Sequence, residues 1–365
     1  MALIRVPIEH MFVQWRGSIY KAIAFIFSRI GIVRVFTSFV NRFKCKRDEK
    51  GELRFPFVAR RACGNVQILI YHRVNDDRDA FFPGVSIDAF TKEMEYLVRH
   101  YSVLALEDAV DGLQSRDLPD KAVVVTFDDG YRDNYLNAFP ILKRLSIPAT
   151  IFLATDAISS GRMLWHDRVF TAFRKTNAPI LEGLGRTDLP RYSLTTLEEK
   201  LLAQRAVLKL LRCVDEGERS RLIDRLISTL GVEDRKEDRG LMLDWDEIKE
   251  MHDSGISFGS HTVTHPILST LSIDRTKMEV YGSKKTIEEK LGIPAKAFAY
   301  PNGGRGDFNE DIKTLVRRAG YVCGLTTLFG ANSAGQDLFE LRRATPWDEE
   351  ISSFGLRLAY YKFCD

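Results

Sequence analysis

Short β-branched or apolar runs alternate with segments of helical period along most of this 365-residue chain. The runs Gln67–His72, Ala122–Phe127, Ala149–Phe152, Ile256–Ser260, Ala297–Tyr300 and Val322–Leu325 predict strands buried on both faces. Between them, Ile87–His100, Asp133–Leu145, Lys277–Leu291 and Asn309–Ala319 predict helices. Most of these close on a turn signal: Ser146-Ile-Pro148, Gly292-Ile-Pro294 or Gly320. Continuous apolar strands separated by helices imply an α/β fold, a parallel sheet or barrel of βα units.

One stretch breaks the rhythm. From Ala157 to Met251 no strand stands out, while Leu197–Val214, Gly217–Leu230 and Leu243–Ser254 have helical spacing, with Leu201, Leu208 and Leu211 on one face. This predicts a helical insertion, about 157–251, between two barrel strands. The organisation expected is an N-terminal helical and basic extension over 1–64, a barrel over 65–347 that carries the insertion, and a tail over 348–365.

Charge excludes one class of function. Lys and Arg total 53 against 50 acidic residues, a net charge of +3, which gives no basis for nucleic-acid binding. The five cysteines are odd in number and form no CxxC pair, which argues against a disulfide framework or a zinc ribbon and for a reducing compartment. Residues 1–45 mix apolar and aromatic side chains with Arg16, Lys21, Arg29, Arg34, Arg42 and Lys44. Their longest apolar run, Ala22 to Phe27, is far short of the roughly 20 residues of a membrane span, and no secretory cleavage site follows it. The segment reads either as a basic amphipathic helix in peripheral contact with a membrane or as a helix packed on the main domain. The expected location is cytoplasmic, with peripheral attachment at the inner membrane surface as the variant.

Three motifs stand at predicted strand ends, where a βα barrel places its active-site loops. In Val123-Val-Val-Thr-Phe-Asp128-Asp129-Gly130-Tyr131 a strand runs into two adjacent carboxylates. They repel unless their roles differ, so one can bind metal while the other serves as general base; a helix N-cap is the plain alternative. In Ser260-His261-Thr-Val-Thr-His265-Pro266 two histidines four apart are expected on one side of a helical turn, close enough to share a metal. Two imidazoles and a carboxylate suit zinc or a comparable divalent ion and leave positions open, as in a catalytic site. In Ala297-Phe-Ala-Tyr300-Pro301-Asn302-Gly303 a Pro–Asn–Gly turn exposes backbone N–H groups able to hold an oxyanion.

Together the motifs resemble those of the polysaccharide deacetylase family, carbohydrate esterase family four. Thr126-Phe-Asp-Asp-Gly130 matches its first motif, His261-Thr-Val-Thr-His265 its second, and Phe298-Ala-Tyr-Pro-Asn-Gly303 its third in the exopolysaccharide-deacetylase variant. Ile70-Tyr-His72-Arg-Val74 resembles the first strand of that subgroup. The resemblance covers roughly residues 65–347 and implies a distorted (β/α) barrel that removes N-acetyl groups from a polysaccharide or lipid-linked amino sugar. It implies Asp128 as general base, Asp129, His261 and His265 as ligands of a divalent metal (zinc first; cobalt, manganese or nickel as alternatives), and the Asn302 N–H as oxyanion donor. Two departures stand out. Ala299 occupies the position of the family's base-orienting arginine, and Arg343 is the candidate replacement. No histidine follows His265, where the family commonly has its general acid, and the resemblance to the Tyr-His subgroup implies His72 in that role. Tyr131, Trp165, Tyr300 and Pro301 are candidate substrate contacts, although Trp165 could equally anchor the insertion and Tyr131 could equally pack in the core. A deformylase or non-sugar amidase on the same barrel, and a catalytically silent carbohydrate-binding protein, are the rival readings.

Overall fold

The computed structural model describes residues 64–185, 189–233, 240–345 and 350–361, together with a short antiparallel pairing of Lys46–Arg47 with Leu53–Arg54. The remainder of the proposed 1–64 extension lies outside the described residues. Eight strands build the main sheet: β1 (Asn65–Tyr71), β2 (Ser102–Val103), β3 (Ala122–Phe127), β4 (Ala149–Leu153), β5 (Ser257–Ser260), β6 (Ala297–Ala299), β7 (Cys323–Leu325) and β8 (Asn332–Ser333). Their order is β7-β6-β5-β4-β3-β1-β8, and β2 also pairs with β3. Every pairing is parallel except β8 on β1. All residues of β3 and β4 are buried, because helices cover one face and the barrel interior fills the other.

The open side is closed by an irregular stretch of chain. Leu341 donates to Gly324 at 2.9 Å and accepts from Thr326 at 2.8 Å, while Ala344 donates to Ile68 at 2.8 Å and accepts from Ile70 at 3.0 Å. Residues 341–344 therefore tie β7 to β1 and complete a distorted barrel. The parallel register brings the strand C-termini together: Tyr71 lies opposite Phe127, and Leu153 opposite Ser260. The residues that follow, His72, Asp128, Ala154 and His261, emerge on one rim.

The helix expected over Asp133–Leu145 begins with a widened π-type turn, Asn134–Ala138, before regular helix at Phe139–Leu145. Pro140 explains this, since it has no N–H to donate to the preceding turn. The inserted stretch has its own core, built from Val169, Phe173, Val207, Leu211, Ile223 and Leu226 among others. It contains the helices Trp165–Lys175, Leu197–Arg212 and Glu216–Thr229 and a short hairpin of Ile180–Leu181 with Tyr192–Ser193. The buried face of Leu197–Arg212 centres on Ala203, Val207 and Leu211, with Leu201 and Leu208 at its margin. Ala157, Ile158, Ile248 and Met251 pack instead into the barrel core, so the separate unit is narrower than 157–251.

The C-terminal stretch is likewise more than a tail. Helix Ile351–Tyr361 buries Phe354, Leu358 and Tyr361 in the barrel core, Phe354 edge-on to Tyr96 at 5.8 Å. Among the described residues no helix is long and apolar enough to cross a membrane. Truncating Phe354 to alanine is expected to destabilise the barrel by about 3–5 kcal/mol, measured as a fall in the denaturant midpoint of its unfolding transition.

Candidate active site

The rim is shaped by residues in an unusual backbone conformation. Asp129, Thr262, His265 and Asn302 have φ of 73°, 70°, 57° and 58°, a region that non-glycine residues rarely enter and that collects at functional sites. At the end of β3 the turn is held by Asp128 N–H donating to Tyr71 O at 3.0 Å and Gly130 N–H to Asp128 O at 3.0 Å. Gly130, at φ 84°, lies in the left-handed region that favours glycine, and a Cβ there would press on the side-chain ends of Ile158 and Leu153 at 3.0 Å.

The two histidines meet through a loop rather than a helical turn. Their ring centroids are 4.8 Å apart although residues 261–265 are not helical. Glu279, buried on helix Ile273–Leu291, organises this loop: its carboxylate accepts from Val263 N–H (2.8 Å), Thr264 N–H (2.9 Å) and Thr264 Oγ1 (2.8 Å), and pairs with Arg275 at 3.0 Å. Thr262 Oγ1 accepts from His265 N–H at 3.0 Å.

Asp129 Oδ1 lies 3.2 Å from His265 Nε2 and 3.5 Å from His261 Nε2, and one donor atom from each residue fits within a 4.8 Å span. That oxygen is buried with no hydrogen-bond partner. His261 Nδ1 faces the Ala299 carbonyl at 2.8 Å, which turns its Nε2 toward the aspartate. Burial lowers the His261 pKa to about 4. Burial pushes the Asp129 carboxyl up, but His265 outweighs it and the group titrates well below the ordinary range. A deprotonated carboxylate and a neutral imidazole are the forms that bind metal, and the orphaned oxygen gives a cation a place to sit; the trio fits a divalent ion.

Beside it, Arg343 grips Asp128 in a bidentate pair, Nη1 to Oδ1 and Nη2 to Oδ2, both 2.7 Å. Arg343 Nε donates to Thr326 O at 2.8 Å, so the guanidinium, carried by the barrel-closing stretch, is fixed from the end of β7. Burial pushes the Asp128 carboxyl up, but Arg343 and His261 outweigh it and hold it below the ordinary carboxylate range. His72, half-buried at the end of β1, is near enough for its charge to bear on both aspartates. Asn302 has its carbonyl engaged by Thr327 Oγ1 at 2.6 Å, while its Nδ2 is buried without a partner.

The candidate substrate contacts fare differently. Tyr300 is a core residue: its ring stacks on Phe308 at 4.5 Å and its hydroxyl donates to Phe339 O at 3.0 Å, and Pro301 is buried beside it. Tyr131 is fully buried, its hydroxyl between Asp167 Oδ1 (2.9 Å) and His166 Nε2 (3.0 Å). Trp165 donates from Nε1 to His265 O at 3.2 Å and lies under the Arg219 guanidinium, an anchor of the insertion. Two residues that the motifs do not name join the site. His166 stands 3.8 Å from Asp129 Oδ2, and burial lowers its pKa to about 3. Asp167 is raised to about 7 by burial and by the charge on Asp129. Their only trace in the sequence is the polar pair that follows Trp165.

The family model described as polysaccharide deacetylase matches residues 115–324. The chain belongs to that family. This deacetylase is a hydrolase of carbon–nitrogen bonds, with an Asp–His–His group whose geometry suits a metal ion. It is 24% identical over 277 residues to Bacillus subtilis YxkH, whose name places it among polysaccharide deacetylases; the match covers 76% of this chain and 69% of that protein. It is 36% identical over 84 residues to the poly-β-1,6-N-acetyl-D-glucosamine N-deacetylase of Escherichia coli K12, which is 22% of this chain and 12% of the longer protein. The Streptococcus pyogenes deacetylase PplD, solved with acetate, superposes with a TM-score of 0.54 over 81% of this chain and 97% of its own at 22% identity, a likeness of fold.

Replacing Arg343 with methionine removes the cation that offsets burial at Asp128. The Asp128 pKa should then rise, and the acidic limb of kcat/KM against pH should move to higher pH; an unmoved limb would separate Arg343 from the titration of Asp128.

Proposed function

We propose that this deacetylase removes N-acetyl groups from an amino-sugar polymer or a lipid-linked amino sugar in a metal-dependent reaction, with Asp128 as general base. The observation that carries the reading is the juxtaposition of two differently compensated carboxylates: Asp129 with an oxygen open to a cation between two imidazoles, and Asp128 locked by Arg343. A poly-N-acetylglucosamine substrate is suggested by the local similarity to the Escherichia coli enzyme.

Asp129, His261 and His265 would hold the ion, which when bound supplies Lewis acidity to the acetamide carbonyl and to water. Asp128 accepts a proton from the water that attacks the acetyl carbon, and its low pKa keeps it ionised for the task. Arg343 orients both carboxylate oxygens. The Asn302 N–H, presented by a left-handed turn, donates to the oxyanion that develops on the carbonyl oxygen. His72 delivers a proton to the departing nitrogen as the C–N bond breaks, leaving acetate and a free amine.

Acetate release from N-acetylglucosamine oligosaccharides is expected to stop on chelation and return with zinc or cobalt. Asp128→Asn should lower kcat by about 10²–10⁴-fold with metal content retained, whereas His261→Ala should lose metal and activity together. A fully active, metal-replete Asp128→Asn enzyme would overturn the assignment, and formate release from an N-formyl amino sugar, with the N-acetylated oligosaccharides left intact, would change the acyl group.

A further inference from the structure

The widened turn Asn134–Ala138 does more than accommodate Pro140. Its side chains reach across to residues 72–75, directly after β1. Asn134 Nδ2 donates to the His72 carbonyl at 2.9 Å, and Asn137 Nδ2 donates to the Val74 carbonyl at 2.7 Å. Asp133, just before the turn, accepts from Arg73 Nε at 2.6 Å and from Asn75 Nδ2 at 2.7 Å, both on Oδ2. Its Oδ1 accepts from Asn134 Nδ2 at 3.0 Å. Val85 adds backbone bonds to the same segment, donating to Arg73 O and accepting from Asn75 N–H at 3.0 Å each. On the other side of His72, the Tyr71 carbonyl accepts the N–H of Asp128. His72 thus stands between two carbonyls that are both held by the chain following β3.

We propose that Asp133, Asn134 and Asn137 are positioning residues of the reaction: they fix the backbone of residues 72–75 and so hold His72 at the rim in register with Asp128. The inference rests on the reading of His72 as general acid above. Tyr71 and Phe127 are the last paired residues of β1 and β3, so sheet pairing stops one residue short of His72. A general acid must stay within hydrogen-bond reach of the departing nitrogen while the base stays beside the attacking water. Tying both to one stretch of chain fixes the spacing between them. Asn134 is fully buried and its Oδ1 has no partner, a cost that an apolar residue of similar size would avoid. Its Nδ2 serves two acceptors instead, the His72 carbonyl and Asp133. The Arg73 guanidinium lies 5.1 Å over the Tyr131 ring, so that aromatic face and Asp133 hold it together. Widened turns of this π type recur at functional sites.

The test combines acetate release from N-acetylglucosamine oligosaccharides with the imidazole C–H resonances of the protein, those of His72 being the ones missing from His72→Ala. Asn134→Leu, close in size but with no donor, is expected to lower kcat by about 10–100-fold, with KM and metal content unchanged. It should shift or broaden the His72 resonances and leave those of His261 and His265 in place. In a His72→Ala background the same substitution should cost nothing further, because both changes act through one side chain. Asn137→Ala, at a half-buried position of the turn, runs the same comparison if Asn134→Leu does not fold. Equal losses in both backgrounds, or unmoved His72 resonances in the folded variants, would overturn the proposal. A His72→Ala enzyme with wild-type kcat would instead sink the reading of His72 as acid beneath it.

Discussion

Two buried carboxylates in successive residues set the terms for this barrel. Asp128 and Asp129 repel one another, and burial raises the cost of ionising either. The left-handed backbone at Asp129 resolves the conflict by aiming the two side chains at different partners. Asp128 receives a permanent cation in bidentate contact; Asp129 turns toward two imidazoles the one oxygen, Oδ1, that has no hydrogen-bond partner. The closing stretch must therefore deliver an arginine, and β5 must end in a loop that brings both histidines to one place.

That loop shows how the scaffold maintains a strained geometry. Two of its residues have positive φ, and a single carboxylate, Glu279, offsets the strain by collecting three donors from the loop. Glu279 sits in the middle of a 19-residue helix, so a rigid element carries the correction. The site thus rests on two supports from distant parts of the chain: Arg343 behind the base and Glu279 behind the histidine loop.

The strands were legible where short runs of apolar or β-branched residues stand between helical segments, and the six expected segments coincide with β1, β3, β4, β5, β6 and β7 to within one or two residues. The two-residue strands Ser102–Val103 and Asn332–Ser333 are too short to leave a pattern, and residues 341–344 make their ladder bonds with an Arg–Arg pair in the middle. Asp128 and His261 stand out in the sequence because each follows a strand run directly, and Asp129 and His265 by their spacing from those two. Glu279 was not, since an acidic residue inside a helix reads as a solvated one until the loop above it is known. His166 was hidden for a related reason: nothing in local spacing tells that the insertion's first helix folds back onto the end of β3. Tyr300 was misread because its motif position suggested a rim, whereas the chain turns it inward against Phe308.

Arg343 stands 215 positions from the carboxylate it grips, on the only stretch that bonds both free edges of the curled sheet among the described residues. The same four residues therefore seal the sheet and hold the base: a substitution that loosened the 341–344 bridge would slacken the grip on Asp128 while leaving Asp129, His261 and His265 at their own strand ends.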